Sequence, residues 1–183
     1  MNNQGAKVDI VQKNDQIILE NVADFDSKHI FECGQCFRWD REEDGSYTGV
    51  VDGKVINISL DDKDIIFKNS SILDVENFWL DYLDFNMDYG KLKEELSAMD
   101  INLKNAVNFG QGIRLLNQPF DETTISFIIS ARNSIPSIKR SVNLLSEKYG
   151  EKIFSHKGKD YYSFPTMESL ANADLEDIKE SKV

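Results

Sequence analysis

From residue 7 to residue 68, apolar and polar positions alternate with a period of two, as in strands with one covered face. The runs at 7–11 and 16–20 flank Asn14-Asp15, a turn-forming pair, and four more follow at 36–41, 47–51, 55–60 and 65–68. Asp44-Gly45 and Asp52-Gly53 separate the middle strands as hairpin turns, because a type I′ turn needs positive φ. Ile56, Ile58 and Leu60 alternate cleanly and predict one buried face. Between the second and third strands, residues 26–32 predict a short helix over the sheet.

After Ser71 the period becomes helical. Ile72, Val75, Trp79, Tyr82 and Leu83 share one face; Leu92, Leu96 and Met99 share another, which Leu103 and Val107 continue. Gln118-Pro119 interrupts. Asp121 is then the expected N-cap of a helix through Ile125, Phe127, Ile128 and Ile129, apolar enough to be largely buried. Ile135, Ile138, Val142, Leu145 and Tyr149 step by three and four, with Pro136 suited to the first turn and Gly150 at the end. A loop over 155–165 leads to two short amphipathic segments. Strands first and helices afterwards predict an α+β fold, an antiparallel sheet passing into an all-helical unit.

At 183 residues, 40% of them hydrophobic, the chain can hold one large domain or two small ones. No apolar run reaches the length of a membrane span, and MNNQGAKVDIVQKNDQ has neither a signal-peptide nor a transit-peptide pattern. Two cysteines without a leader point to a reduced, intracellular compartment. The net charge of −11 counts against a generic nucleic-acid binder, since phosphate affinity rests on Lys and Arg. The charge is uneven, however: residues 130–159 carry seven basic residues (Arg132, Lys139, Arg140, Lys148, Lys152, Lys157, Lys159) against Glu147 and Glu151. A solvated helix face and a phosphate-facing surface both fit that cluster.

The stretch FECGQCFRWD, residues 31–40, holds both cysteines. A redox dithiol needs its first cysteine at a helix N-terminus within a βαβ unit, whereas Cys36 opens an alternating run. A structural zinc site wants four ligands, and the chain offers only Cys33, Cys36, His29 and a distant His156. The cysteines therefore read as small, partly buried fillers, with no metal and no cofactor. A glycine at the strand entry permits unusual φ and close approach to bare backbone, or marks a simple bulge.

GQCFRW resembles the signature of the N-terminal domain of 8-oxoguanine DNA glycosylases, in the helix-hairpin-helix glycosylase superfamily. FGQGIRLLNQPFDETTISFIISARNSIPSIKRSVNLLSEKYG is similar to the family's passage into its helical domain, and YYSFPTMESLANADLEDIKES to a later FP-x-x-x-x-L region. The likeness runs in order from about Val8 to the last residue. It implies a TBP-like antiparallel sheet domain over 7–120 (sheet to about 70, then helices). The first helices of a helix-hairpin-helix glycosylase domain would follow over 121–183.

The resemblance further implies a monomeric base-excision enzyme acting on double-stranded DNA with oxidised guanine opposite cytosine, located in the bacterial cytoplasm with the nucleoid. The target base must leave the stack. Guanine N7 is an acceptor, whereas the oxidised base carries a hydrogen there. By resemblance, the Gly34 carbonyl reads that hydrogen, with Gln35 and Phe37 beside it. Arg132, Asn133 and Ser137 map to positions that fill the gap and read the orphaned cytosine; the family places an Asn-Asn pair where this chain has Arg132-Asn133. The lysine nucleophile and its assisting aspartate belong beyond Val183, so this stretch is expected to be inactive alone and to expose apolar surface on its helical half. Lys179, Lys182, Asp174 and Asp177 match no catalytic motif. Beside this reading stand a non-catalytic DNA- or protein-binding module and an alkylpurine-type glycosylase.

Overall fold

A computed structural model describes residues 8–156 and 158–180. Its main sheet has six strands: β1 (Asp9–Lys13), β2 (Gln16–Glu20), β3 (Trp39–Arg41), β4 (Tyr47–Val51), β5 (Lys54–Asp61) and β6 (Asp64–Lys68), in the order β1-β2-β6-β5-β4-β3. β1 pairs with β2, β2 with β6 and β6 with β5, all antiparallel. Phe67 lies opposite Ile17 on one side and Ile58 on the other, so three fully covered side chains cross three strands on one face. That row is what the alternation in the sequence encodes. The α+β class is as expected.

The described residues divide into two compact units. The first comprises the described residues up to Gln35, Glu42–Tyr47 and Asn57–Asn117. It holds α1 (Ser27–Phe31), a continuous helical run of α2 (Ile72–Asp74), a π-helical turn (Val75–Trp79) and α3 (Leu80–Tyr82), then α4 (Tyr89–Met99) and α5 (Ile101–Phe109). Asp26 caps α1 by accepting from the His29 amide at 2.9 Å. Val75, Trp79, Tyr82 and Leu83 are buried, the stripe that the helical period predicts.

The second unit comprises Cys36–Arg41, Thr48–Ile56 and the described residues from Gln118 onward. Its helices are α6 (Phe120–Ser130), α7 (Ile135–Tyr149), α8 (Met167–Ala171) and α9 (Leu175–Glu180), with a two-stranded hairpin of β7 (Lys152–His156) and β8 (Lys159–Tyr162). Phe37, Ile129, Ile138, Val142 and Leu145 form its core, with Tyr149, Phe164 and Leu170 packed against them. Gly150 ends α7 as expected, and the reason is space: a Cβ there would lie 2.1 Å from the Ser163 carbonyl oxygen.

Several expectations are corrected. The strand expected at 36–41 is shortened to Trp39–Arg41, because Phe37 turns into the helical core rather than along a ladder. The first strand is Asp9–Lys13 rather than 7–11, and Lys7 lies outside the described residues. The loop expected over 155–165 is largely the β7–β8 hairpin, turned at Gly158 (φ 79°). Ile153, Phe154 and Tyr161 pack there with Val50 and Val55.

α6 begins at Phe120 after Pro119, leaving Asp121 within its first turn instead of at the cap. Only Ser126 and Ile129 of α6 are buried, whereas Phe127 and Ile128 are 53% and 63% exposed. Ile135 of α7 is likewise exposed. Asp100 breaks the expected continuation from Met99 to Leu103, because its carboxylate caps α5 through the Asn102 and Leu103 amides. Leu60 shares the face of Ile56 and Ile58 but is 40% exposed, because that face is uncovered toward the end of the strand. Of the two Asp-Gly turns, Asp52-Gly53 has positive φ at both residues; in the other, only Gly45 does.

Candidate functional site

The chain leaves α1 through a bend that carries Gly34 at φ 89°, a conformation that a side chain disfavours. Gly34 is half-buried and belongs to no strand, and among the described residues no hydrogen bond engages its backbone. Its carbonyl is thus not consumed by ladder pairing.

Gln35 beside it is tied down. Its Nε2 donates to the Ile30 carbonyl and to the Arg114 carbonyl, each at 2.9 Å, and its Oε1 accepts from the Leu116 amide at 3.0 Å. The amide therefore brackets residue 115 as a neighbouring strand would, joining the GQCFRW and GIRLLNQP segments. Glu32, at the start of the same bend, accepts from the Tyr47 hydroxyl at 2.5 Å.

Arg114 is the residue that sequence reasoning missed. It is buried, and its guanidinium donates to the carbonyls of Asp24 (2.8 Å), Asp84 (2.9 Å) and Ala23 (3.3 Å). Its charge lies over the rings of Phe85 at 4.3 Å and Tyr89 at 4.7 Å. Burial holds its pKa below the usual arginine value, and Tyr89, Asp24 and Asp84 oppose that shift. The Tyr89 hydroxyl donates to Asp84 Oδ2 and accepts from the Leu115 amide, both at 2.8 Å; burial raises its pKa. The available signal was period two: within Ile113-Arg114-Leu115, the arginine is buried and Leu115 is 68% exposed, the inverse of their polarity.

Phe37 sits in the core of the second unit, 5% exposed and edge-on to Phe127 at 6.2 Å between ring centroids. Its ring is occupied by packing. The two free thiols are dissimilar: Cys33 is exposed and Cys36 buried. Among the described residues, no group of three His, Cys, Asp or Glu side chains is arranged to hold a metal ion. No helix among them is long and apolar enough to cross a membrane.

The second candidate group lies in the turn from α6 to α7. Arg132 has φ 60° and is exposed, and among the described residues it makes no hydrogen bond or ion pair. Asn133 Nδ2 donates to the Ile129 carbonyl at 2.7 Å, and its Oδ1 lies 3.5 Å from Ser137 Oγ. The structure thus puts Arg132 and Asn133 in the turn and Ser137 in the first turn of α7, against Asn133.

The basic cluster is mostly neutralised: Lys139 and Lys159 pair with Asp40, Lys148 with Asp177, and Lys152 with Asp160. Lys157 lies outside the described residues. Arg132 and Arg140 keep unpaired charges among them.

An antiparallel sheet and helices on one chain make this an α+β protein, with a glycine carbonyl free of hydrogen bonds among the described residues and an exposed turn between two helices. The family model described as 8-oxoguanine DNA glycosylase, N-terminal domain, matches residues 17–124, and the chain belongs to that family. An N-glycosylase/DNA lyase of Saccharomyces cerevisiae is 47% identical over 62 residues, 34% of this chain and 16% of the relative.

Two solved structures share the architecture. The Clostridium acetobutylicum 8-oxoguanine glycosylase/lyase, in complex with double-stranded DNA containing cytosine opposite 8-oxoguanine, is 44% identical with a TM-score of 0.90. The match covers 94% of this chain and 59% of that one. MBOgg1 in complex with a low-affinity DNA ligand is 44% identical with a TM-score of 0.92, over 96% of this chain and 60% of that one. The chain therefore spans about three-fifths of these structures and a smaller share of the yeast relative.

Proposed function

We propose that the chain is the recognition-bearing amino-terminal part of an 8-oxoguanine DNA glycosylase with abasic-site lyase activity. Its substrate is double-stranded DNA with oxidised guanine opposite cytosine, and it acts as a monomer at the bacterial nucleoid. Residues 7–120 are the sheet domain, and 121–183 open the helix-hairpin-helix domain. The observation that carries this reading is the Gly34 carbonyl, without a hydrogen bond among the described residues and on a half-exposed residue that has no side chain, in a chain of this family. Such an oxygen accepts from the N7 hydrogen of the lesion and meets a lone pair in guanine. The mismatch leaves a desolvated polar group unpaired, at a cost of about 1–3 kcal/mol.

Gln35 and Phe37 serve this loop from behind, since the amide of one is engaged by backbone and the ring of the other by core. Arg132, with an unpaired guanidinium on an exposed turn, fills the gap and reads the orphaned cytosine, with Asn133 and Ser137 shaping the turn. Excision at the sugar requires an amine nucleophile and a carboxylate. In this reading they are supplied outside these 183 residues, so the stretch alone does not excise.

The test is borohydride trapping on a duplex with 8-oxoguanine opposite cytosine. The complete gene product is expected to give a covalent protein–DNA adduct and a nicked strand; residues 1–183 give neither. No adduct from the complete product overturns the lyase assignment, and excision by residues 1–183 overturns the division of labour.

A further inference from the structure

Residues 33–35 belong to no strand, and Gly34, the most permissive of them, makes no hydrogen bond among the described residues. No hydrogen bond of its own fixes where the Gly34 oxygen points. Cys33 on one side reaches only the Ile30 carbonyl, at 3.5 Å, whereas the Gln35 side chain on the other ties the loop to a distant segment. Both N–H groups of the Gln35 amide and one lone pair of its oxygen are used, on the Ile30 carbonyl at the end of α1 and on the groups flanking residue 115.

The segment it grips is itself rigid. Arg114 is anchored on three carbonyls and two rings, and the Leu115 amide on Tyr89, whose hydroxyl is fixed by Asp84.

We infer that Gln35 is a positioning residue: it clamps the Gly34 loop to the Arg114–Leu116 segment and so fixes the carbonyl that distinguishes a protonated from an unprotonated N7. The inference rests on the reading of Gly34 given above. A hydrogen bond discriminates only where donor and acceptor are held near 3 Å in good alignment. A loop free to shift by an ångström keeps its contacts with DNA and loses its selectivity. Gln35 therefore acts on lesion choice rather than on general affinity.

The experiment compares the complete gene product with its Gln35→Met and Gln35→Asn variants. Met has nearly the same shape without the three hydrogen bonds; Asn is one methylene too short to span both partners. The probes are duplexes with 8-oxoguanine and with 8-methoxyguanine, which keeps an oxygen on C8 but leaves N7 a bare acceptor, each opposite cytosine. The wild type is expected to prefer 8-oxoguanine in kcat/KM. Each variant that stays folded by circular dichroism should reduce that preference roughly tenfold, the worth of one hydrogen bond. Binding to undamaged duplex should change less than about twofold, because the phosphate contacts are untouched. An unchanged preference in the folded variants overturns the positioning role while leaving the Gly34 reading intact. A wild type with no preference overturns the Gly34 reading, and this inference with it.

Discussion

Arg38 and Glu122 form a buried ion pair in the second unit: Arg38 Nη1 lies 3.5 Å from Glu122 Oε2, with the side chains 4% and 16% exposed. Arg38 also donates through Nη2 to the Tyr162 carbonyl, while its Nε and Nη1 are buried without a hydrogen-bond partner among the described residues, so Nη1 meets Glu122 as a charge contact. Burial lowers the Arg38 pKa and raises that of Glu122, and each charge opposes the shift of the other. Removing one partner leaves the other uncompensated out of water. Arg38→Met is expected to cost about 3–5 kcal/mol, and Arg38→Met with Glu122→Leu less than the sum of the single changes. A double-mutant cycle by urea unfolding measures this. Additive losses would mean that the pair contributes no coupling.

The same pair fixes the sign of a pH dependence. Glu122 keeps its proton in the folded chain at pH values where an unfolded glutamate has lost it, because burial outweighs the attraction of Arg38. Over that interval the folded state binds more protons, so Glu122 makes stability fall as pH rises from about 4.3, its unfolded value, through its raised folded value. Glu122→Gln should flatten that part of the curve of unfolding free energy against pH. Parallel curves for variant and wild type would refute the assignment.

Arg114 carries a larger load than its place in an apolar stretch suggests. Replacing it by Met strands the carbonyls of Asp24, Asp84 and Ala23 and empties the space over Phe85 and Tyr89. Each stranded buried acceptor costs about 1–3 kcal/mol, so a loss of at least about 3 kcal/mol is expected. Arg114→Lys should recover only part of it, since an ammonium cannot reproduce the fork. A loss below about 1 kcal/mol for Arg114→Met in chemical denaturation would show that water replaces the guanidinium without cost.

Local signals were legible in the sequence and distant partnerships were not. The strand at 54–61 and the Asp52-Gly53 turn follow from alternation and from residues that tolerate positive φ, both short-range properties. The Asp26 cap of α1 is of the same kind. Gln35 and Arg114, in contrast, gain their roles from partners up to ninety-one positions away, which no local window contains. The β7–β8 hairpin escaped because KIFSH and KDYY are too short to show a period, and Ile153, Phe154 and Tyr161 pack with the distant Val50 and Val55. Charge counting over 130–159 left a solvated face and a phosphate surface both open, because Asp40, Asp160 and Asp177, which pair with four of its lysines, lie outside that run.

Gly34 offers a direct test of the proposed lesion reading. At φ 89° an alanine is strained, so Gly34→Ala should lower stability by about 1–2 kcal/mol without unfolding the protein. In the complete gene product, the preference for 8-oxoguanine over guanine should fall by roughly tenfold as the loop relaxes toward negative φ. Excision ratios for the two bases opposite cytosine report it. Undiminished discrimination in a folded variant would remove Gly34 from the recognition step.

Arg132 separates stability from recognition at a single position. A non-glycine residue at φ 60° carries strain of about 1–2 kcal/mol, and among the described residues its guanidinium has no partner that would offset it. Strain persisting on an exposed turn is expected where the side chain has work to do. Arg132→Gly should therefore raise the unfolding free energy by about 1 kcal/mol. It should also weaken binding to a lesion duplex with cytosine opposite more than to one with adenine opposite, since in the proposed reading the guanidinium takes acceptors on the orphaned cytosine. Arg132→Asn, which restores a side chain tolerant of this φ, should share the gain in stability and recover part of the binding. Equal losses on both duplexes would reduce Arg132 to a phosphate contact, and a loss of stability in Arg132→Gly would show that the turn is held by contacts rather than strained against them.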